Sequence, residues 1–251
     1  MSLTFPPLDF VNLVLLLGAF CIGLSKGGMP AIGMVAVPLA SLTTSPLVSI
    51  ILLLPIFIIT DLVGILLYYK VYSKANLRIL IPAALFGIIL GWVTVVWIND
   101  QLLGLGIGIT GLVFCFYNWM PFNKKVDVVQ PVIWKGMMSG IISGFTSFIC
   151  HAGAPPYQLY ILPQKLEKMV YIGTTTLFFS SVNLMKIVPY YYLQDSLYID
   201  FTILIWTGPV ALVGCLLGTY LVRRIDAMIF FKVTVIGLFL VSTQLVYKSL
   251  V

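Results

Sequence analysis

The chain has 251 residues, of which 61% are hydrophobic and only 9% are charged, and its mean hydropathy is +1.10. A soluble domain carries roughly 25% charged residues, so this composition excludes a water-facing shell and predicts an all-α polytopic membrane protein. The net charge of +6 is then assigned to membrane topology, and no nucleic-acid partner is expected. We treat residues 1–251 as a single transmembrane domain in contact with the lipid bilayer.

Two apolar regions, residues 10–42 and 132–162, are interrupted midway by glycine and proline. The interruptions are SKGGMP at residues 25–30 and CHAGAPP at residues 150–156. Each predicts a hairpin of two helical limbs with an irregular tip, because glycine and proline end helices. The first ten residues lack a basic segment, so we expect no cleavable signal peptide.

Six uninterrupted segments are long enough to cross about 30 Å of hydrocarbon as helices. They are residues 46–69, 77–97, 101–119, 169–191, 199–222 and 227–247. The order along the chain is therefore a hairpin and three spans, followed by a second hairpin and three more spans.

Loop charges predict the orientation, because Lys and Arg near span ends stay on the cytoplasmic side. Basic loops alternate along the chain with loops that are acidic or neutral. The basic residues are Lys70, Lys74, Arg78, Lys124, Lys125, Lys135, Lys165, Lys168, Arg223 and Arg224, and the acidic ones are Asp9, Asp100, Asp195 and Asp200. The sequence predicts a multi-pass protein of a bacterial inner membrane, with both termini outside and the loop at 121–131 inside.

The two halves of the chain resemble each other. The aligned pairs are Lys26 with His151, Gly28 with Gly153 and Pro30 with Pro155 at a shift of 125, and Gly87 with Gly214 and Gly91 with Gly218 at a shift of 127. Each half, residues 1–120 and 131–251, has a hairpin and three spans, an odd number of crossings. The two repeats must then be inverted, as in many transporters. The alternative is chance coincidence of glycine and proline in an apolar chain.

Each predicted tip combines exposed backbone with a basic or titratable residue. Gly27, Gly28 and Gly153 allow the chain to come close to a bound group. The prolines that follow suit the first turn of the second limb, and the amides just after them would be free at the positive end of a helix dipole. That arrangement favours an anion. A packing kink without a ligand is the alternative.

Ionisable residues inside the apolar segments extend this site. Lys26 could supply a fixed positive charge, and His151 could donate a hydrogen bond to an anion or take up a proton near neutral pH. Asp61 and Lys186 superpose at the shift of 125. Counting about 1.5 Å per residue places Lys26 near Asp61 and His151 near Lys186, on either side of one cavity. A neutralising Lys26–Asp61 pair and a structural histidine are the alternatives.

The span that carries Lys186 also carries polar residues. Thr176, Ser180 and Asn183 share one helical face, with spacings of four and three. We predict Thr176 and Asn183 as substrate contacts, with interhelical packing as the alternative. The four cysteines lie in apolar segments and are expected to be free. The sequence carries no metal-ligand or cofactor motif, so we expect neither.

The tip motifs resemble a known family. Residues 23–28 (GLSKGG) with 37–39 (VPL) are similar to the first-half signature of the TauE/SafE sulfite exporter family, in the toluene-sulfonate uptake permease group. Residues 151–156 (HAGAPP), 173–175 (GTT) and 183–186 (NLMK) are similar to its second signature. The resemblance implies transport of sulfur-containing oxyanions such as sulfite, thiosulfate, sulfonates or sulfoacetate.

These patterns predict a secondary transporter that works by alternating access, with a small anion bound between the hairpin tips near mid-membrane. Asp61 or His151 could couple a proton, and a homodimer is left open. A passive anion channel is the main alternative. An intramembrane enzyme built on Cys150 and His151 is a third, but adjacent residues are poorly placed as nucleophile and base, and no orienting group is evident.

Overall fold

The computed structural model describes residues 9–27, 30–120, 130–194, 201–221, 224 and 227–251. These residues form α-helices and short 3-10 helices, and no strand occurs among them. Several sequence predictions lie outside the described residues: the loop at 121–129, the tip residue Gly28, and the loop charges Asp195, Asp200 and Arg223.

The first half of the chain begins with a broken helix, as the sequence predicts. Its described α-helices are α1 (Phe10–Lys26), α2 (Ala36–Ser41), α3 (Pro46–Tyr68), α4 (Lys74–Trp97) and α5 (Asp100–Trp119). A 3-10 helix, Pro30–Val35, precedes α2. The first hairpin is therefore a long limb, a tip, and a return limb that starts as a 3-10 helix.

The second half follows the same order. Its described α-helices are α6 (Ile133–Cys150), α7 (Ala154–Ile161), α8 (Lys168–Gln194), α9 (Leu204–Leu221) and α10 (Ala227–Leu250). Short 3-10 helices, Leu162–Gln164 and Phe201–Ile203, precede α8 and α9. The break between α6 and α7 lies within the predicted interruption, where His151 ends α6 and Gly153 precedes α7.

Polar side chains mark where several helices begin. Each accepts a hydrogen bond from the amide three residues further on, which satisfies a donor that has no partner inside the helix. These N-caps are Asp9, Ser45, Ser73 and Asn99. The starts of α1, α3, α4 and α5 therefore follow directly from the sequence.

Five described helices are long and apolar enough to cross a membrane, namely α3, α4, α5, α9 and α10. The sixth predicted span is α8, whose 27 residues extend about 40 Å. It is less apolar than the five because it carries buried polar side chains. These are Thr174, Ser180, Asn183 and Lys186. Such a helix suits the interior of a bundle, with its polar residues facing protein instead of lipid.

Glycines allow the long limbs of both hairpins to pack closely on a neighbouring helix. A Cβ atom on Gly23 of α1 would overlap the carbonyl oxygen of Ala211 on α9. A Cβ atom on Gly144 of α6 would likewise overlap the carbonyl oxygen of Ala84 on α4. Close backbone approach at small residues is typical of helix pairs in membranes. The α1–α9 and α4–α6 crossings thus fix the two hairpins beside α3 and α8, which also pack together.

Candidate anion-binding site

The first tip is joined to the bundle through a carboxylate. Lys26, the last residue of α1, contacts Asp61 of α3 through Nζ and Oδ1. The other oxygen, Oδ2, accepts a hydrogen bond of 2.6 Å from Nδ2 of Asn183 on α8. Asp61 is only 3% exposed, whereas the Lys26 side chain is 22% exposed. Both carboxylate oxygens are therefore occupied, and Lys26 keeps some access to the space beyond the tip.

The second tip surrounds a buried lysine. Lys186 of α8 is fully buried, and its Nζ lies 3.1 Å from the Ser147 carbonyl oxygen, 3.2 Å from Ser147 Oγ and 2.8 Å from His151 Nδ1. These three acceptors match the three N–H groups of an ammonium. None of them is a carboxylate, and within the described chain no carboxylate forms an ion pair with Lys186. Its charge is hydrogen-bonded but has no direct counter-ion.

His151 ends α6 in a left-handed conformation, with φ 52° and ψ 23°. Its Nε2 lies 2.9 Å from the carbonyl oxygen of Ile50 on α3. A carbonyl only accepts, so Nε2 carries a hydrogen and Nδ1 is left as the acceptor for Lys186. A left-handed conformation costs about 1–2 kcal/mol in a residue other than glycine. The strained backbone directs this ring between α3 and α8, which favours a functional role.

Phe57 of α3 joins the two clusters. The His151 ring stacks on the Phe57 ring with centroids 4.6 Å apart and planes at 14°. Lys26 Nζ lies 6.0 Å from the Phe57 centroid. Because Phe57 precedes Asp61 by one helical turn, both side chains project from one face of α3. A single aromatic ring therefore contacts the groups at both tips.

The structure brings together the residues that depth counting had paired. Lys26 contacts Asp61, and His151 contacts Lys186, as the sequence predicted. Asn183, predicted as a substrate contact, instead has its amide nitrogen bound to Asp61. It holds that carboxylate in place while its own helix presents Lys186 one turn further along.

Thr176 lies at the crossing of α3 and α8. A Cβ atom on Gly64 of α3 would be 2.7 Å from the Thr176 methyl carbon, so this threonine packs against the backbone three residues beyond Asp61. Ser180, one turn further along α8, is 2% exposed, and its hydroxyl has no hydrogen-bond partner among the described residues. The predicted polar face of α8 is thus turned toward α3 at Thr176.

The tip glycines are held by packing. A Cβ atom on Gly27 would be 2.5 Å from the Cys215 carbonyl oxygen on α9, and one on Gly153 would be 2.6 Å from the Ser143 carbonyl oxygen. One prediction is wrong here. The amide after the two prolines of α7, that of Tyr157, was expected to be free, but it donates to the Gly153 carbonyl oxygen at 3.4 Å. The second tip thus offers fewer amide donors than the sequence indicated.

Three contributors were missed by sequence analysis. Ser147 supplies two acceptors to Lys186, Phe57 joins the clusters, and Tyr190 lies with its ring centroid 6.0 Å from Lys186 Nζ. Helical spacing could have indicated two of them. Ser147 precedes His151 by four residues, and Tyr190 follows Lys186 by four, so each lies on the face of a residue already singled out.

Comparison with known proteins places this chain in a family. A family model described as Sulfite exporter TauE/SafE matches residues 15–245, which is nearly the whole chain. The chain belongs to the TauE/SafE sulfite exporter family. Neither the curated proteins nor the solved structures include a match to it.

Membership in the TauE/SafE family decides between the broad classes of function. TauE/SafE proteins are transporters and not enzymes, so the enzyme hypothesis built on Cys150 and His151 is set aside. Together with the five candidate spans, the match identifies a multi-pass membrane protein. The family implies transport of sulfur anions.

Proposed function

We propose that this chain is a secondary transporter of a small sulfur oxyanion or organosulfonate, of the sulfite, thiosulfate and sulfoacetate class, bound between the hairpin tips near mid-membrane. The observation that carries the proposal is Lys186, fully buried and without a carboxylate in contact among the described residues. Burying an ammonium that lacks a counter-ion is costly. A bound anion would offset that cost. The proposed substrate contacts are Lys26, Gly27, Gly28, His151, Gly153, Lys186, Asn183 and Thr176.

Inverted repeats would supply the alternating access that such a transporter needs. Helix packing supports them. By their order in each half, α1 corresponds to α6, α3 to α8, α4 to α9 and α5 to α10. The packed pair α1–α9 then corresponds to the packed pair α6–α4. The packed pairs α3–α8 and α5–α10 each join two corresponding helices. The glycine contacts follow the same correspondence, since Gly23 on Ala211 matches Gly144 on Ala84.

These contacts also relate the two clusters. The pair Gly23 and Gly144 aligns α1 with α6 at a shift of 144 − 23 = 121, one helical turn from the shift of 125 that aligns the tips. At the shift of 121, Lys26 aligns with Ser147. At the shift of 125, Asp61 aligns with Lys186. The contact of Lys26 with Asp61 thus has its counterpart in the contact of Ser147 with Lys186. We propose that each hairpin contacts an ionisable residue on the helix that follows it in the chain. Lys26 contacts Asp61 on α3, and Ser147 contacts Lys186 on α8.

Counterflow in proteoliposomes tests the proposal. Protein reconstituted with internal sulfite, thiosulfate or sulfoacetate should accelerate uptake of the same labelled anion, because a carrier exchanges substrate across its single site. A passive channel would instead give currents far above carrier turnover and no acceleration by internal substrate. Failure to move any sulfur anion would rule out the proposed function. We also propose that both termini lie on the outer side of the membrane.

Replacing Lys26 with Ala should weaken anion binding, because it removes one positive charge from the site. It also leaves Asp61 buried with Asn183 as its remaining described partner, and breaking a buried ion pair costs about 3–5 kcal/mol. We therefore expect a lower melting temperature together with a smaller stabilisation by sulfite or a sulfonate in a thermal-shift titration. An unchanged ligand-induced shift would exclude Lys26 from the site.

We propose His151 as the carrier of a coupled proton, so replacing it with Gln should flatten the pH dependence of transport. Protonation of the ring at Nδ1 requires the Lys186 ammonium to leave that nitrogen, because both cannot keep a proton at 2.8 Å. The added charge beside the anion should then make uptake rise as the pH falls. Glutamine can still donate to the Ile50 carbonyl oxygen but cannot take up a proton. The same pH profile in both proteins would exclude His151 as the proton carrier.

A further inference from the structure

We infer that the site carries one net positive charge and therefore selects monoanions, such as hydrogensulfite or an alkanesulfonate, over dianions of similar shape. The inference rests on the proposed function and narrows it from sulfur anions in general to one charge state. It follows from the way that hydrogen bonds among Lys26, Asp61, His151 and Lys186 restrict the number of protons in the site.

Lys186 and His151 together hold a single positive charge. Their nitrogens, Nζ and Nδ1, are 2.8 Å apart, a distance at which one nitrogen must donate and the other must keep its lone pair. Because Nε2 donates to the Ile50 carbonyl oxygen, the ring is neutral when Lys186 is an ammonium. If the proton moves to Nδ1, the ring becomes charged and the lysine neutral. A neutral pair would have only two Nζ hydrogens for the three acceptors on Ser147 and His151, so we take the pair to hold one further proton and a charge of +1 in either arrangement.

Lys26 and Asp61 add nothing to that charge. They are in direct contact, so the ammonium and the carboxylate cancel, and the Asn183 amide on the second carboxylate oxygen is neutral. The other titratable groups near the cluster, the Cys150 and Cys215 thiols and the Tyr190 phenol, are neutral when protonated.

The helices that surround the cluster bring no further charge to it. The other charged residues of α4, α6 and α8 lie within the first two turns of their helices, away from the tips. They are Lys74, Arg78, Lys135 and Lys168. In α1, α3 and α9 the described ionised residues are Lys26 and Asp61 themselves. The sum for the described residues around the site is therefore +1.

A charge that is out of water must be balanced to be stable. One monoanion brings the site to neutrality, whereas a dianion leaves an excess negative charge inside the protein. At an effective dielectric constant of about 20, unit charges a few ångströms apart still interact strongly. We therefore expect at least about a tenfold preference for the monoanion.

The test compares methanesulfonate with thiosulfate, which share a trigonal SO3 group and differ in charge, −1 against −2. Neither titrates between pH 6 and 8, so the ratio of their dissociation constants reports the charge of the site. With the full chain in lipid nanodiscs at pH 8, methanesulfonate should bind at least about tenfold more tightly. Asp61→Asn raises the site to +2 and should move the ratio about tenfold or more toward thiosulfate. Asp100→Asn, at an exposed residue that begins α5, should leave it unchanged.

A second arm needs no change at Asp61. Lys26→Gln leaves the Asp61 carboxylate to cancel the charge on the Lys186–His151 pair, so the site falls to 0 and the ratio should move about tenfold or more toward methanesulfonate at pH 8. If Asp61→Asn does not fold, this arm decides. Thiosulfate binding equally or more tightly at pH 8 would overturn the charge inference and leave anion transport standing. If neither anion binds, the proposed function itself fails.

Discussion

Replacing Lys186 with Met should abolish anion binding while the protein remains folded. The lysine is fully buried, and its ammonium is the charge that lacks a direct carboxylate partner among the described residues. Two effects on stability oppose each other. The variant no longer buries a charge, but the acceptors on Ser147 and His151 lose their donor, at about 1–3 kcal/mol each. Binding has no such compensation, because a unit charge a few ångströms from the anion is removed.

The measurement is the affinity for methanesulfonate or sulfite, read from ligand-induced stabilisation or calorimetry. We expect a loss of at least about 100-fold, in line with a few kcal/mol of charge interaction. Lys232→Met is the matched control, since it makes the same substitution at an exposed lysine of α10. It should bind as the wild-type protein does. An affinity for Lys186→Met within threefold of wild type would place the anion elsewhere.

The depth of each candidate residue could be predicted from the sequence, because the rise per residue of a helix is fixed. That is why Lys26 was correctly paired with Asp61, and His151 with Lys186. Rotation about the helix axis could not be predicted in the same way. It depends on packing against neighbours, which decided that Phe57 faces the His151 ring.

The second tip illustrates a different limit of sequence analysis. A break within residues 150–156 could be predicted, since a glycine and two prolines lie there. The left-handed position, however, is occupied by His151, although glycine is the usual residue at such a place. Contacts with Ile50 and Lys186 hold this histidine in a strained conformation. At His151, a proposed site residue, tertiary contacts therefore outweigh the backbone preference of the residue itself.

Span prediction was less successful at α8. The sequence predicts six spans, residues 169–191 among them, whereas five described helices are long and apolar enough to cross a membrane. The helix α8 is not one of the five, because its buried polar residues make it less apolar. The packing of α1 on α9 and of α4 on α6 could not be predicted from the sequence either. A glycine in a helix indicates that something could approach closely, but not which helix does so.

Gly23→Ala and Gly144→Ala should each destabilise the protein by about 3 kcal/mol. At either position a Cβ atom would overlap a carbonyl oxygen of the crossing helix, and backbone on both sides cannot move aside as a side chain can. Because the two crossings hold the hairpins beside α3 and α8, we expect anion binding to weaken as well. Unfolding in a denaturing detergent, followed by loss of helix signal, measures the change in stability.

Gly106→Ala and Gly237→Ala are the matched controls. Both glycines lie in helices, in α5 and α10, and a Cβ atom at either meets no described atom within 4 Å. Alanine favours the helix over glycine by about 1 kcal/mol, so these variants should be neutral or slightly more stable. The comparison separates close approach from helix propensity, because all four substitutions add the same methyl group. If Gly23→Ala were as stable as Gly106→Ala, the backbone contact between α1 and α9 would not exist, and the first tip would lose the support that places Lys26 against Asp61.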